Sequence, residues 1–225
     1  MNYHHLQPKP MKNSPIYLRL ADIPSELPVG ASHWWGYPDL PEDMPIPTVT
    51  DPTDGNTYAL NFICQINLAD LPEGIIRLPH SGLLLFFADI AYYNRQWNEP
   101  SISLHISGNE VVKVFYLPKE KLSQLVNRQD EYAEEELPAV PIQCTTERPP
   151  LSEPDHRLLG EPDYREWDDW DTPFEGWELL FQMDSCEGDG YNYNFIDCGV
   201  LNLIVAPEAL NALDFSDVRA TILST

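Results

Sequence analysis

Positive charge is scarce in this sequence. Lys and Arg number 13 against 36 Asp and Glu, which leaves a net charge of −23 and a pI near 4.3. A surface this negative repels phosphate backbones and anionic headgroups, so nucleic acid and membrane partners are disfavoured and a basic protein or a cation is favoured. Long apolar runs are missing as well; none approaches the roughly 18 residues that span a bilayer. The stretch from Met1 to Asn13 is polar and Pro-rich and lacks a secretory apolar region. Glycine is sparse, 11 against 22 prolines. Proline fixes φ and removes a donor, so strands should be short and loops long and stiff.

Paired metal-type cysteines are absent too. Cys64, Cys144, Cys186 and Cys198 form no C-x-x-C and no zinc-ribbon spacing. Scattered thiols without a leader predict a reducing, cytoplasmic setting, with Cys64 a small core residue inside an apolar strand. The histidines (His4, His5, His33, His80, His105, His156) make no H-x-x-x-H, and neither G-x-S-x-G nor a phosphate-cradling glycine loop occurs. No cofactor and no metal are expected. These absences point away from an enzyme without deciding the matter, because Cys186 or Cys198 could still meet His156 in space.

What is present is self-similarity. Tyr58-Ala-Leu-Asn-Phe-Ile-Cys-Gln-Ile-Asn67, continuing into Ser81-Gly-Leu-Leu-Leu-Phe-Phe-Ala88, resembles Trp177-Glu-Leu-Leu-Phe-Gln-Met-Asp184, continuing into Cys198-Gly-Val-Leu-Asn-Leu-Ile-Val205. Gln65 maps to Gln182 and Gly82 to Gly199 at one common spacing. Each half thus holds an apolar strand with a Gln near its end, a loop, and a Gly-led apolar strand. The stretch Gly36 to Pro38 and the stretch Gly160 to Pro162 share Gly-x-Pro, which extends the match upstream. Hydrophobic content of 43% supports a substantial core.

In chain order, residues 1–15 read as a loosely ordered arm and 16–225 as one domain. Ile16 to Ala21 is expected to be a strand at the domain's edge. Ala31 to Pro41 is expected to be a loop pinned by Trp34 and Trp35, and Asp39 to Asp54 to be irregular because of its prolines. Asn67 to Leu71 should make one helical turn. Ser101 to Ile106 alternates and should pair through a Gly108-Asn109 turn with Val111 to Leu117. Pro118 and Pro207 each open a short helix. Asp130 to Asp189 holds about half of the acidic residues in Pro-punctuated loops. Arg219 to Leu223 closes the chain as a strand.

The segments Trp35-Gly-Tyr-Pro-Asp-Leu-Pro41, Phe62-Ile-Cys-Gln-Ile-Asn67 with Leu68-Ala-Asp-Leu-Pro72, and Gly82-Leu-Leu-Leu-Phe-Phe87 resemble the first half of the YwqG-like family. His156-Arg-Leu-Leu-Gly160, Leu179-Leu-Phe-Gln-Met-Asp184 and Asp197-Cys-Gly199 resemble its second half. The likeness runs from about residue 30 to the C-terminus. It implies an α+β, sheet-rich domain and no particular reaction, since the family's function is undefined. Trp35 stands where the family's Gly-Gly-x-Pro has its first glycine, and Ile46-Pro47 where Trp-Pro is common. Together these readings predict a mostly antiparallel, sheet-rich α+β domain with few short helices, built as an internal duplication of halves at about 30–127 and 150–223.

Four sites merit functional reading. Gln65 and Gln182 are amides in apolar strands and are expected to bond backbone in neighbouring segments. Trp167, Asp168, Asp169, Trp170 and Asp171, with Phe174 and Trp177, could take a Lys/Arg-rich surface by cation–π contact and charge-assisted hydrogen bonds, or could plug the core. This is the expected partner-binding segment of a non-enzymatic protein, for instance an immunity-type neutraliser of a basic toxin. An alternative is a ligand or enzyme cleft between halves, lined by His33, Trp34, His156 and Asp184. A further alternative is calcium on Asp184 to Asn194, although Cys186 and Gly188 occupy ligand positions of the usual loop.

Overall fold

A computed structural model describes residues 14–21, 27–51, 54–95, 106–132, 137–165, 176–188 and 191–224. Most of the arm, the alternating stretch before Ile106 and residues 167–171 lie outside the described residues. In chain order the strands are β1 (Ile16–Leu20), β2 (His33–Trp34), β3 (Asp39–Pro41), β4 (Thr48–Thr50), β5 (Thr57–Ala59), β6 (Asn61–Asn67), β7 (Leu83–Ala88) and β8 (Val112–Leu117). They continue as β9 (Leu125–Asn127), β10 (Val140–Thr145), β11 (Arg157–Leu158), β12 (Glu178–Asp184), β13 (Cys186–Gly188), β14 (Tyr191–Tyr193), β15 (Val200–Val205) and β16 (Arg219–Leu223). The helices are short: α1 (Ile90–Arg95) and α2 (Pro207–Ala212), with 3-10 turns at Leu68–Asp70, Lys119–Gln124 and Gln129–Glu131. Among the described residues no helix is long and apolar enough to cross a membrane.

Ten strands form one antiparallel sheet in the order β16-β15-β12-β11-β1-β10-β2-β6-β7-β8. Both halves therefore share a single sheet. β1 lies in its middle, between β10 and β11, rather than at an edge as its sequence suggested; its partners come from far along the chain, so local pattern carried no signal of them. Two further expectations are corrected. Trp34 belongs to a two-residue strand, and Asp39–Pro41 and Thr48–Thr50 make short ladders between the prolines.

Alternation along the strands sorts side chains between two faces. One face carries Ile66, Phe86, Val114, Phe181, Leu201 and Leu203 into the main core. Phe86 stacks on Phe181 with ring centroids 4.5 Å apart, although β7 and β12 lie far apart in the sheet order, so the sheet curls until its halves meet. Ser107, just before β8, bridges Ala220 of β16 through reciprocal bonds of 2.8 and 2.9 Å, which ties the two ends together. Arg77 pairs with Glu178 and donates to Asn211 at 2.7 Å, a second tie between halves. The opposite face carries Phe62, Leu83, Leu85 and Phe87 in the first half and Val200, Ile204 and Leu223 in the second.

On that outer face each glutamine anchors a loop. Gln65 accepts from Asp39 N–H at 3.0 Å and donates to Ala31 O at 2.9 Å. Gln182 accepts from Asp163 N–H at 2.8 Å and donates to Asp155 O at 2.8 Å. Both amides are fully buried. The resemblance extends to the bulges, at Phe62/Cys64 and at Leu179/Phe181, and to the backbone bonds Trp35 N–H to Ile63 O and Leu159 N–H to Leu180 O. Each loop then turns through two left-handed residues, Trp35 and Gly36 (φ 52° and 70°) or Leu159 and Gly160 (φ 57° and 84°). A left-handed non-glycine residue costs about 1–2 kcal/mol. Trp35 offsets it by packing its ring against Tyr191, with ring centroids 4.4 Å apart.

Replacing Gln182 with leucine leaves a buried N–H and a buried C=O unpaired, at a cost of about 2–4 kcal/mol. The denaturant midpoint of Gln182→Leu should fall accordingly. A change below about 0.5 kcal/mol would mean that the amide does not hold the loop.

Candidate functional site

The Asp39 loop leaves a pocket of about 910 Å³ beside it. It is lined by the buried His33 and Asp39, by Tyr37 and Tyr132, whose rings meet edge to face with centroids 5.5 Å apart, and by Asn127, Gln129 and Asp130. Leu27, Pro28, Val29, Leu137 and Pro138 make an apolar lip. Arg128 points away from the pocket: it donates to Pro41 O and Met44 O and pairs with Glu131, which fixes the strand carrying Asn127. Among the described lining residues there is no lysine or arginine.

Asp39 is 2% exposed. Its Oδ2 accepts from Gly30 N–H at 2.7 Å and from Gln65 Nε2 at 2.7 Å, and its Oδ1 accepts from Asn127 Nδ2 at 3.2 Å. Every one of these donors is neutral. His33 sits against Phe62, and its Nδ1 bonds Trp35 O at 2.8 Å. Burial lowers its pKa below the ordinary value, and the nearby Asp39 charge opposes that shift only in part.

The equivalent place in the second half is filled by cations. Arg157 lies opposite Gln182, as His33 lies opposite Gln65. It pairs with Asp155 at 3.0 Å and donates to Glu161 O at 2.8 Å. Asp163, positioned like Asp39, pairs with Arg165 at 3.3 Å, and the same guanidinium holds Asp184. In one half the loop acids Asp155, Asp163 and Asp184 are thus paired with arginine, while in the other the described donors to Asp39 are neutral and it lies beside the pocket.

The four residues of the expected cleft are divided. His33 shares the outer face with Gln65, whereas Trp34 points to the inner core and meets His156 at 4.6 Å between ring centroids. His156 Nδ1 accepts from Asp184 N–H at 3.1 Å. His156 borders a separate groove of about 290 Å³ with Leu18, Arg19 and Glu153. Asp184 Oδ2 accepts from Asp155 N–H at 2.9 Å, and burial raises the Asp184 pKa. Asn194 Oδ1 accepts from Cys198 N–H at 2.8 Å. Asp184 and Asn194 thus have side-chain oxygens bonded to protein donors, and among the described residues no group of three or more His, Cys, Asp or Glu is placed to hold a metal. The Cys186 thiol is pushed up to about 12 by burial, which suppresses the thiolate at neutral pH.

Trp167, Asp168, Asp169, Trp170 and Asp171 lie outside the described residues. Trp177 is half-buried on the outer core of the second half, with the Arg219 guanidinium 4.7 Å above its ring. Sequence reasoning overlooked Asp39, Tyr37, Asn127, Asp130 and Tyr132 as a site. One signal was available: both halves read Gly-x-Pro-Asp, at Gly36 to Asp39 and at Gly160 to Asp163.

Burial drives the His156 pKa down to about 3. Neutral when folded and protonatable when unfolded, it binds fewer protons in the native state. Its contribution is therefore intact above about 6.5 and declines as pH falls. The stability advantage of wild type over His156→Gln should shrink by about 2 kcal/mol between pH 7 and pH 5. Urea unfolding at both pH values measures it; a constant difference would show that the ring is not held neutral.

No curated protein matches this sequence. The model of a family described as a domain of unknown function matches residues 32–222, a span that includes both glutamine strands, both loops they anchor and nearly all of the sheet. The chain belongs to that family, the domain of unknown function DUF1963.

Proposed function

We propose that this chain is a non-enzymatic binding protein whose acidic surface neutralises a basic protein partner. The observation that carries this reading is the pocket at Asp39 and Asp130, lined by no described lysine or arginine in a chain of net charge −23. A cationic side chain entering it would supply the counter-charge that Arg157 and Arg165 provide in the second half.

The specific form we propose is an immunity-type protein acting in the cytoplasm against a basic toxin. Four unpaired cysteines fit a reducing compartment. The acidic, Trp-bearing residues 167–171 would add a second contact on the grounds of their sequence. We also read the matched glutamine bonds, bulges and left-handed turns as the mark of an ancestral half that was doubled, and they support that reading independently of function.

Complementary charge accelerates encounter and is screened by salt. A basic partner recovered from the native cell should bind at least about tenfold more weakly at 0.5 M than at 0.05 M salt. Asp130→Lys, at an exposed position of the pocket, should slow association several-fold with an unchanged melting temperature. Recovery of no basic partner, or binding indifferent to salt and to this charge reversal, would overturn the proposal.

A further inference from the structure

The pocket holds two acceptors whose capacity is not used. A carbonyl only accepts, so the bond from His33 to Trp35 O places the proton of the neutral ring on Nδ1 and leaves the lone pair on Nε2. The ring is 4% exposed and lines the pocket, and its described side-chain hydrogen bond is the one at Nδ1. Asp39 is the second acceptor. A carboxylate offers about four lone-pair sites, and the described donors occupy two on Oδ2 and one on Oδ1.

A neutral donor would satisfy both acceptors yet leave the buried charge of Asp39 without compensation. A cation answers both needs. An ammonium is compact and strongly hydrated, so drawing it into a pocket is costly; a guanidinium is planar, weakly hydrated and presents adjacent donors to adjacent acceptors. Tyr37 and Tyr132, whose rings meet edge to face, add aromatic surface to the lining, and the lip of Leu27, Pro28 and Val29 suits an aliphatic stem.

We propose that this pocket is a guanidinium receptor, in which Asp39 Oδ1 and His33 Nε2 accept from one arginine-like group. The inference rests on the basic-partner reading and narrows it to one chemical class. The group could belong to an arginine side chain of a protein or to a small free guanidine.

Calorimetry on the full chain tests it with agmatine, an arginine-bearing peptide and the lysine version of that peptide. Saturable binding of agmatine supports the proposal with a small free ligand; binding of the arginine peptide alone supports it with a protein source. The lysine peptide should bind about tenfold more weakly. Asp39→Asn and His33→Phe should each weaken binding about tenfold or more. Because Asp39 also braces its loop, Val29→Arg provides a control: at an exposed lip position it supplies a competing guanidinium and should abolish binding without changing the melting temperature. Equal affinity for lysine and arginine peptides, or no binding of either guanidinium probe, overturns the proposal. If the salt-sensitive basic partner still binds in that case, the broader reading survives; if it does not, both fail.

Discussion

The buried glutamine amide is the constraint on which the rest of this fold depends. Gln65 and Gln182 each sit in an apolar strand, fully removed from water, and each bonds the backbone of a loop that crosses the outer face of the sheet. The loops contain prolines and left-handed turns and join ladders only in pieces of two or three residues, such as Asp39–Pro41. An amide carries a donor and an acceptor together, so it can answer a backbone N–H and a C=O at once. A carboxylate could only accept and an aliphatic chain could do neither. Because an unmet polar group in such a place costs more than an ordinary hydrogen bond yields, the loop position is set by the amide.

The same frame is filled differently in the two halves. Opposite Gln182 stands Arg157, and Arg165 reaches both Asp163 and Asp184, so the second loop is held down by ion pairs. Opposite Gln65 stands His33, whose pKa burial lowers, and among the described residues the donors to Asp39 are neutral. Histidine in place of arginine at this position means no permanent cation and a shorter side chain. The pocket lies beside this histidine and Asp39.

Much of the architecture was legible because it is local. β6, β7, β12 and β15 are apolar runs, α2 opens on Pro207, and the glutamines stand out as polar residues among aliphatics. β10 was hidden by the acidity around it and by Pro141, and the central place of β1 depends on β10 and β11, both drawn from far along the chain. The pocket was less legible still. Asp39 and Asn127 come together because β3 pairs with β9, and no periodicity along the chain announces that pairing.

What the sequence determined by itself is the sign of the surface charge, the apolar strands and the two glutamines that recur among them, since each follows from composition or from neighbours a few residues apart. Tertiary structure alone decided which carboxylate lies buried beside a pocket with neutral donors. With 13 basic side chains for 36 acidic ones most acids must go without. Asp155 and Asp163 find arginines two residues away, which is local, whereas Asp39 meets Gln65 and Asn127 because strands from distant parts of the chain come together there.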